Sequence, residues 1–492
     1  MKKAVVVGAG MGGLSTALLL SSQGFEVTII EKNNRIGGKM GEVNGFGYRF
    51  DTGPSLLTMP FLLKELFERC GRKLEDYLTL VELEHLCHYE FSDGTTFENW
   101  ADEKKTIDEI RRIAPEDEHN YTEFLNYSTR LFALTKDVFL RNPLFEWSDL
   151  KSLPILNLLQ IDAFSTVSQK IDRSLNSPYI RQFFKRFTTY NGSSPFKAPA
   201  TLNVIPHVEL RMGAFYVRGG MYSIAKAIKK ACDESSCRWR FEEEVIKMTG
   251  TKDHIKSVIL TSGEQIEADL VVCNADATYA IQNLLSQYST KRERQRARNT
   301  EPSSSGYVIL LGVDKTWDQL RHHNIFFSAD YKKEFDDIFS DKRCPEDPTI
   351  YVTNTSITDQ EDAPSGHSNL FILVNTPCQP LTCSSEYGDQ LIRLLELRGL
   401  DGLSEHIRFR QDILPHEFES RYFSNRGSIY GTSSNGLFSA FLRPRNAHQR
   451  IQNLYFTGGS THPGGGIPLV LLSSFHTIEL LKRRKQTIRR VR

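Results

Sequence analysis

Residues 4–21 read AVVVGAGMGGLSTALLLS, and few stretches restrict the fold of a chain more tightly. Ala4 to Val7 is a short apolar run rich in β-branched residues, the signature of a buried parallel strand. Gly8, Gly10 and Gly13 follow at G-x-G-x-x-G spacing, with Gly12 as an extra glycine. Leu14, Ala17, Leu18 and Ser21 then recur at helical intervals, and Gly24 stands where a helix ends. Phe25 to Ile30 reads as a second strand, and Glu31 closes it, 18 residues after Gly13. Strand, glycine turn, helix, strand and acid, in that order, make a dinucleotide-binding βαβ unit. Gly8 permits the tight turn, Gly10 lets the backbone approach a pyrophosphate, and Gly13 lets the helix pack against the strand. The helix N-terminus then offers unpaired N–H groups and a positive dipole end to the anion. Taken alone, the glycine spacing is weak evidence and fits a merely structural turn. The ordered surroundings carry the reading.

A second glycine element follows the acid: Lys32-Asn-Asn-Arg35-Ile-Gly37-Gly38-Lys39. A glycine pair with a basic residue on each side suits a second wrap around a larger cofactor. The alternative is a glycine-rich β-turn. This element resembles R-x-G-G-[KR] of flavoproteins in the amine oxidase and carotenoid desaturase superfamily. Asp51-Thr-Gly53-Pro54-Ser55 resembles the segment that lies beside the isoalloxazine in those proteins.

Other function classes are disfavoured by composition. Lys plus Arg total 61 and Asp plus Glu 60, a formal net charge of +1, so a nucleic-acid partner is not expected. Cys232/Cys237 and Cys378/Cys383 are the close cysteine pairs, and neither has C-x-x-C spacing, so reduced thiols are expected. The adjacent His322-His323 lacks partners at zinc spacing, and no metal is expected. The N-terminal apolar run imitates a signal peptide, but its glycines interrupt it and no leader is expected. No apolar run reaches membrane-spanning length. At 492 residues the chain is expected to form two or three lobes.

Further along, His88 to Trp100 reads as a hairpin around Ser-Asp-Gly. Residues 102 to about 190 are helical in character. Leu131 to Phe164 is rich in large apolar residues and reads either as core helices or as an apolar entry surface lying on a membrane. Tyr307 to Val313, Ile350 to Thr353 and Leu370 to Asn375 read as strands of one sheet. Asn274 and Asp276, after the strand-like Ala268 to Cys273, are expected to cap a turn rather than act in chemistry.

Near the end stands TGGSTHPGGGIPLVLLS, Thr457 to Ser473. It follows the strand-like Asn453 to Thr457 and leads into helical spacing over Leu469 to Leu481. Pro468 suits the first turn of that helix, where a missing N–H costs nothing. Here is a second strand–glycine–helix unit whose positive end can face an anion. Together with the N-terminal motif, YNGSSPFKAPA (Tyr190 to Ala200), Arg218-Gly219-Gly220-Met221 and GSIYG…FLRPRN (Gly427 to Asn446), it resembles bacterial carotenoid desaturases of the phytoene desaturase type. Gly-Gly-Ser, Gly-Gly-Gly and Leu469 depart from the usual phytoene desaturase wording towards the hydroxycarotenoid 3,4-desaturase branch, and partly towards the dehydrosqualene branch.

The resemblance implies an α/β fold: a Rossmann-type FAD-binding domain with a mixed sheet-plus-helix substrate domain. It implies a discontinuous cofactor domain over 1–80, 215–295 and 425–492, with 81–214 and 296–424 forming the substrate and membrane-contact domain. FAD would be held by Gly8, Gly10, Gly12, Gly13, Glu31, Lys32, Arg35, Gly38, Lys39, Gly53, Pro54, Ser55, Val245, Gly458, Gly459, Ser460, Gly466, Ile467 and Pro468. The implied activity is dehydrogenation of a carotenoid, C-3,4 desaturation of a 1-hydroxycarotenoid being favoured. The alternatives are a phytoene or dehydrosqualene desaturase, an isomerase or saturase, and a non-catalytic FAD-binding subunit. His207, Glu209 and Arg211 are candidate polar helpers, with plain structural roles as the alternative, and no catalytic residue is assigned. The tail Lys482 to Arg492 reads as a solvated terminus or as a contact for anionic lipid. A cytoplasmic enzyme peripherally associated with the inner membrane is the expected setting.

Overall fold

A computed structural model describes residues 2–136, 162, 164–378, 383–436 and 443–491. Most of the Leu131 to Phe164 stretch lies outside the described residues, as do residues 437–442 of the GSIYG…FLRPRN segment.

The chain opens as its glycine pattern dictates. Strand β1 (Lys3–Val7) enters helix α1 (Met11–Ser21), which returns to β2 (Glu26–Ile30). Helix α1 is apolar on every side and buried over Met11 to Leu20, because it is sandwiched between the sheet and other helices. The hairpin read in the sequence is present as β3 (His85–Glu90) and β4 (Thr96–Trp100). Helix α2 (Tyr222–Glu234) follows the Arg218-Gly-Gly segment. Its N-terminus has no side chain of its own as a cap. Asp51 supplies one, accepting from the N–H groups of Met221 and Tyr222 at 3.0 Å each.

Strands β5 (Arg238–Arg240) and β6 (Leu270–Cys273) join β1 and β2. The strands of a second sheet come next: β7 (Ser305–Val313), β8 (His323–Phe326), then helix α3 (Tyr331–Asp336), β9 (Ile350–Asn354), β10 (Ser368–Thr376) and β11 (Ile407–Ile413). The described residues end with β12 (Leu454–Phe456) and α4 (Ile467–Val491). Helix α4 therefore runs ten residues beyond the apolar spacing that announces it, through the basic tail.

Two sheets carry the architecture. The first has order β12-β6-β1-β2-β5, and every pair is parallel. Its strands come from both ends and the middle of the chain, and both faces are covered, as parallel sheets require. The second has order β11-β7-β10-β9-β8-β3-β4 and is antiparallel except at β8–β3. The three strands read at 307–313, 350–353 and 370–375 are its core.

One expectation is overturned. Cys344 and Cys383 form a disulfide, with Cα atoms 6.3 Å apart and a sequence separation of 39. The pairing partner of Cys383 is not its near neighbour Cys378, which is a free thiol donating to the Ser303 carbonyl. Spacing in sequence could not show this, because the pair is brought together by the fold around the second sheet. Cys232 and Cys237 are free thiols, with Cys232 donating to the Leu14 carbonyl.

Candidate functional site

The first glycine turn and the C-terminal glycine segment meet across β6. A Cβ added at Gly12 would lie 2.8 Å from the Gly458 nitrogen, and one at Gly13 only 2.0 Å from the Gly8 carbonyl oxygen. The Asn274 side chain, at the end of β6, fills the space between them: Cβ atoms at Gly10 and Gly458 would each meet it at 2.7 Å. At Gly12 and Gly13 the obstacle is backbone, so nothing larger than hydrogen fits there. The strand-to-helix turns thus bring bare backbone to one cavity from sequence positions some 450 residues apart.

That cavity is continuous. Its lining includes Gly8, Gly10, Gly12, Glu31, Lys32, Gly38, Lys39, Gly53, Pro54, Ser55, Val245, Gly458, Gly459, Ser460, Gly466, Ile467 and Pro468. Two nominated residues are not on its wall. Gly13 is the packing glycine beneath the turn. Arg35 turns away, donating to the Glu42 carbonyl at 3.1 Å and to the Tyr422 hydroxyl at 3.5 Å, where it braces the segment carrying the glycine pair.

The other groups are held for a purpose that can be stated. Glu31 is buried, with Oε2 accepting from Ala9 N–H at 2.8 Å and Oε1 from the backbone and side chain of Asn33. Its carboxylate is thereby fixed at the end of β2, where a ribose hydroxyl is recognised in such units. Gly10 caps α1 with no side-chain bond, so the first N–H groups of that helix are left for an anion. Gly466 has φ +97° and nothing within 4 Å of the place a Cβ would occupy, so its bare face opens on the cavity before α4 begins. Lys39 donates to the carbonyls of Ser428 and Ile429 at 2.7 and 2.8 Å, and burial pulls its pKa down to about 8. Lys32 sits 3.5 Å over the Phe423 ring and donates to the Ser420 carbonyl. A glycine cradle at two helix starts, a fixed acid and flanking lysines fit a dinucleotide with a bulky third ring system.

The remaining wall belongs to the antiparallel sheet. Ile325, Tyr351, Leu373 and Val308 are register partners across β8, β9, β10 and β7. They form one transverse row, and all four face the cavity. Phe371 lies two residues along β10 on the same face. This row was legible only as apolar strands; which face points inward depends on register. The Tyr351 hydroxyl lies 2.6 Å from Ser55 Oγ and 2.8 Å from His323 Nδ1, tying the sheet to the Gly53-Pro54-Ser55 segment. Burial holds His323 well below its ordinary pKa, so the ring is neutral. His322 bonds Thr358 Oγ1 at 2.6 Å.

Arg186 and Tyr190 also reach the cavity, and the sequence reading did not single them out as site residues. Arg186 pairs with Glu209 at 2.5 Å, both nearly fully buried, and the Tyr190 hydroxyl donates to the same carboxylate. Glu209 is thus the buried counter-ion of a cavity arginine. Arg211 reaches Asn126, Thr129 and Glu103, and His207 bonds Thr129. Neither is among the residues lining the cavity. Asp276 caps the next turn through Thr278 N–H at 2.8 Å.

Bare backbone at two helix starts beside a buried apolar wall suits FAD, and the chain's relatives make it an FAD-dependent oxidoreductase. The chain belongs to the family of flavin-containing amine oxidoreductases, whose model matches residues 11–477. It is 34% identical over 491 residues to the 4,4'-diaponeurosporene oxygenase of Staphylococcus aureus (strain bovine RF122 / ET3-1), covering 98% of this chain and 99% of that one. The enzyme of the same name from Staphylococcus haemolyticus is 34% identical over 479 residues, covering 96% of this chain and 95% of that one. Among solved structures, cyclohexylamine oxidase from Brevibacterium oxydans superposes with a TM-score of 0.64 at 14% identity, covering 98% of this chain and 99% of that one. An oxidoreductase from Methanosarcina mazei does so at 0.62 and 17%, covering 97% and 100%. These two share the fold.

Proposed function

We propose that the chain oxidises a linear carotenoid with FAD as the electron acceptor. The observation that carries this reading is the single cavity whose one end is the glycine cradle and whose wall is the Ile325–Tyr351–Leu373–Val308 row. Full-length identity of 34% to two enzymes named for a carotenoid supports the substrate class. FAD, when bound, supplies hydride acceptance at its isoalloxazine. The chain's own residues do the rest. Gly8 to Gly12 and Gly458 to Pro468 bind the cofactor, and Glu31 orients its ribose. The Ser55–Tyr351 bond fixes the sheet against the Gly53-Pro54-Ser55 segment, so an extended polyene on the sheet is held in one orientation. The apolar row keeps water out.

The finer form we favour is C-3,4 desaturation of a 1-hydroxycarotenoid, supported by Gly459-Ser460, the triple glycine 464–466 and Leu469. A second form, introduction of oxygen into the carotenoid, is favoured by the name of the full-length relatives, which are called oxygenases. Chromatography and mass spectrometry of pigments from a host making linear carotenoids, with and without this chain, decide between them. Loss of two hydrogens supports the first and gain of oxygen the second. Unaltered pigment across hydrocarbon and hydroxylated substrates, with FAD bound, would overturn the carotenoid reading. We also propose peripheral attachment to a membrane surface. Among the described residues no helix is long and apolar enough to cross one.

A further inference from the structure

The apolar wall is interrupted at one end. Where β8 leaves the sheet and β9 enters it, three polar side chains face the cavity: Thr349, Tyr331 and Glu334. Thr349 immediately precedes β9 and lies two residues before Tyr351, on the same face of the strand. Glu334 is on α3 and only 2% exposed. Its Oε2 accepts from Ser328 Oγ at 2.6 Å and from Thr349 Oγ1 at 2.7 Å. It has no cation partner among the described residues: its neighbour Lys333 pairs with Asp337 instead. Tyr331 is 8% exposed and packs edge-on against Phe327 and Phe335, at 5.8 and 5.0 Å between centroids. Its hydroxyl is buried and has no hydrogen-bond partner among the described residues.

A buried phenol hydroxyl without a partner is costly, and native proteins rarely keep one without a use. A carboxyl group buried without a counter-ion is costlier still. Both line the cavity, where Arg186 lies within electrostatic range of Tyr331 but is already paired with Glu209, and neither is used by the cofactor cradle or by the Ser55–Tyr351 bond. Burial raises Glu334 to about 7, so near neutrality the carboxyl is substantially protonated and can donate a hydrogen bond as well as accept one.

We propose that Tyr331 and Glu334, with Thr349 orienting the carboxyl, form an end-group subsite that recognises an uncharged oxygen, hydroxyl or carbonyl, on the terminus of the polyene. The inference rests on the carotenoid reading above and deepens it: these residues determine which polyenes are accepted. A hydrocarbon terminus leaves the Tyr331 hydroxyl without a partner and Glu334 bonded only to Ser328 and Thr349, whereas a terminal oxygen beside them offers a partner to each. A site built to hydrogen-bond an oxygen discriminates strongly against the analogue that lacks it. Glu334 and Tyr331 are specificity residues in this scheme, with no part in the redox step.

The test uses the full chain loaded with FAD and two linear carotenoids of equal length, one ending in hydrocarbon and one carrying a terminal hydroxyl. Binding is read from the visible absorption of the polyene on titration, and turnover from chromatography of the products of a mixture. The wild type is expected to prefer the hydroxylated polyene about tenfold or more in both readouts. Tyr331→Phe and Glu334→Leu should each bring that ratio towards one, and Glu334→Gln, which keeps a donor and an acceptor, should retain most of it. Flavin content and melting temperature identify a variant that fails to fold, and Tyr331→Phe removes a single oxygen and is the milder change. A ratio unmoved in flavin-loaded Tyr331→Phe, or a wild type without preference, overturns the subsite while leaving carotenoid oxidation standing. A wild type that binds and oxidises neither polyene overturns both.

Discussion

Gly13 and Glu334 show at single-residue scale how backbone and burial set chemistry. A methyl group at Gly13 would lie 2.0 Å from the Gly8 carbonyl oxygen, and both partners are backbone that cannot rotate away. Gly13→Ala therefore has to push α1 off β1. We expect a loss of about 1–3 kcal/mol in stability, the range for overpacking a tight contact, together with loss of bound flavin. Denaturant titration and the flavin absorbance per chain check both. Glu334 makes the opposite kind of prediction, because its effect depends on pH. Burial, the largest cause, raises its folded value from 4.5 to about 7, against the lowering effect of Ser328 and Thr349. Below about 4.5 both folded and unfolded chains hold the proton. As pH rises towards 7 the unfolded chain has released it while the folded chain has not, so stability falls across that window. The folded state forfeits about 3 kcal/mol by pH 7 and above. Glu334→Gln cannot ionise, and its unfolding free energy should lack that decline when measured from pH 4.5 to 7.5.

Among the elements, the antiparallel sheet and its flanking segments carry a cross-link that the cysteine spacing hides. Cys344 precedes β9 and Cys383 follows β10, and the bond between them closes 39 residues of chain. Chain-entropy arguments put the stabilisation from closing a loop of that length at about 4 kcal/mol. Cys344→Ser with Cys383→Ser should lower the denaturation midpoint, and reductant should do so in the wild type but not in the double variant. Equal midpoints with and without reductant would contradict the bond. The buried Arg186–Glu209 pair is the other determinant at this scale, because it sets one charged residue against the cavity with its charge already compensated. Removing Glu209 alone leaves that guanidinium uncompensated, a loss of about 3–5 kcal/mol for a buried pair broken on one side.

At the scale of the whole molecule, one site is assembled from both ends of the chain. Strand β12 pairs with β6, which pairs with β1, so the C-terminal strand closes the sheet that the N-terminal strand opens. Helix α4 then leads away from the cavity into the basic tail. If that tail meets anionic lipid, removing residues 482–492 should lower co-sedimentation with vesicles containing anionic lipid at low salt, each cation near the surface contributing about 1 kcal/mol. The truncated chain should keep its flavin, because the cradle residues end at Pro468. Unchanged co-sedimentation would remove the tail from the membrane contact.

Some of this was legible without coordinates, and the reason is local. Gly8 to Glu31 form a βαβ unit whose turns, periodicity and closing acid are all set by neighbours in sequence. The same holds for Pro468 at the start of α4, for Asp276 as a turn cap, and for the three apolar strands of the second sheet. What required the fold is whatever depends on register or on distant partners. Tyr351, Leu373, Val308 and Ile325 are four unremarkable strand residues until pairing aligns them. Arg35, next to a glycine pair, reads as a cofactor ligand, and only the fold shows its bonds to the Glu42 carbonyl and the Tyr422 hydroxyl. Cys383 bonds to a cysteine 39 residues away rather than to one five residues away. Tyr331 and Glu334 carry no motif, and only burial on a cavity wall separates them from any other helical tyrosine and glutamate. Backbone conformation answers to nearby residues, so the sequence alone determined each strand–glycine–helix turn. Their meeting at one cavity, and the side chains that line it, were decided by tertiary packing.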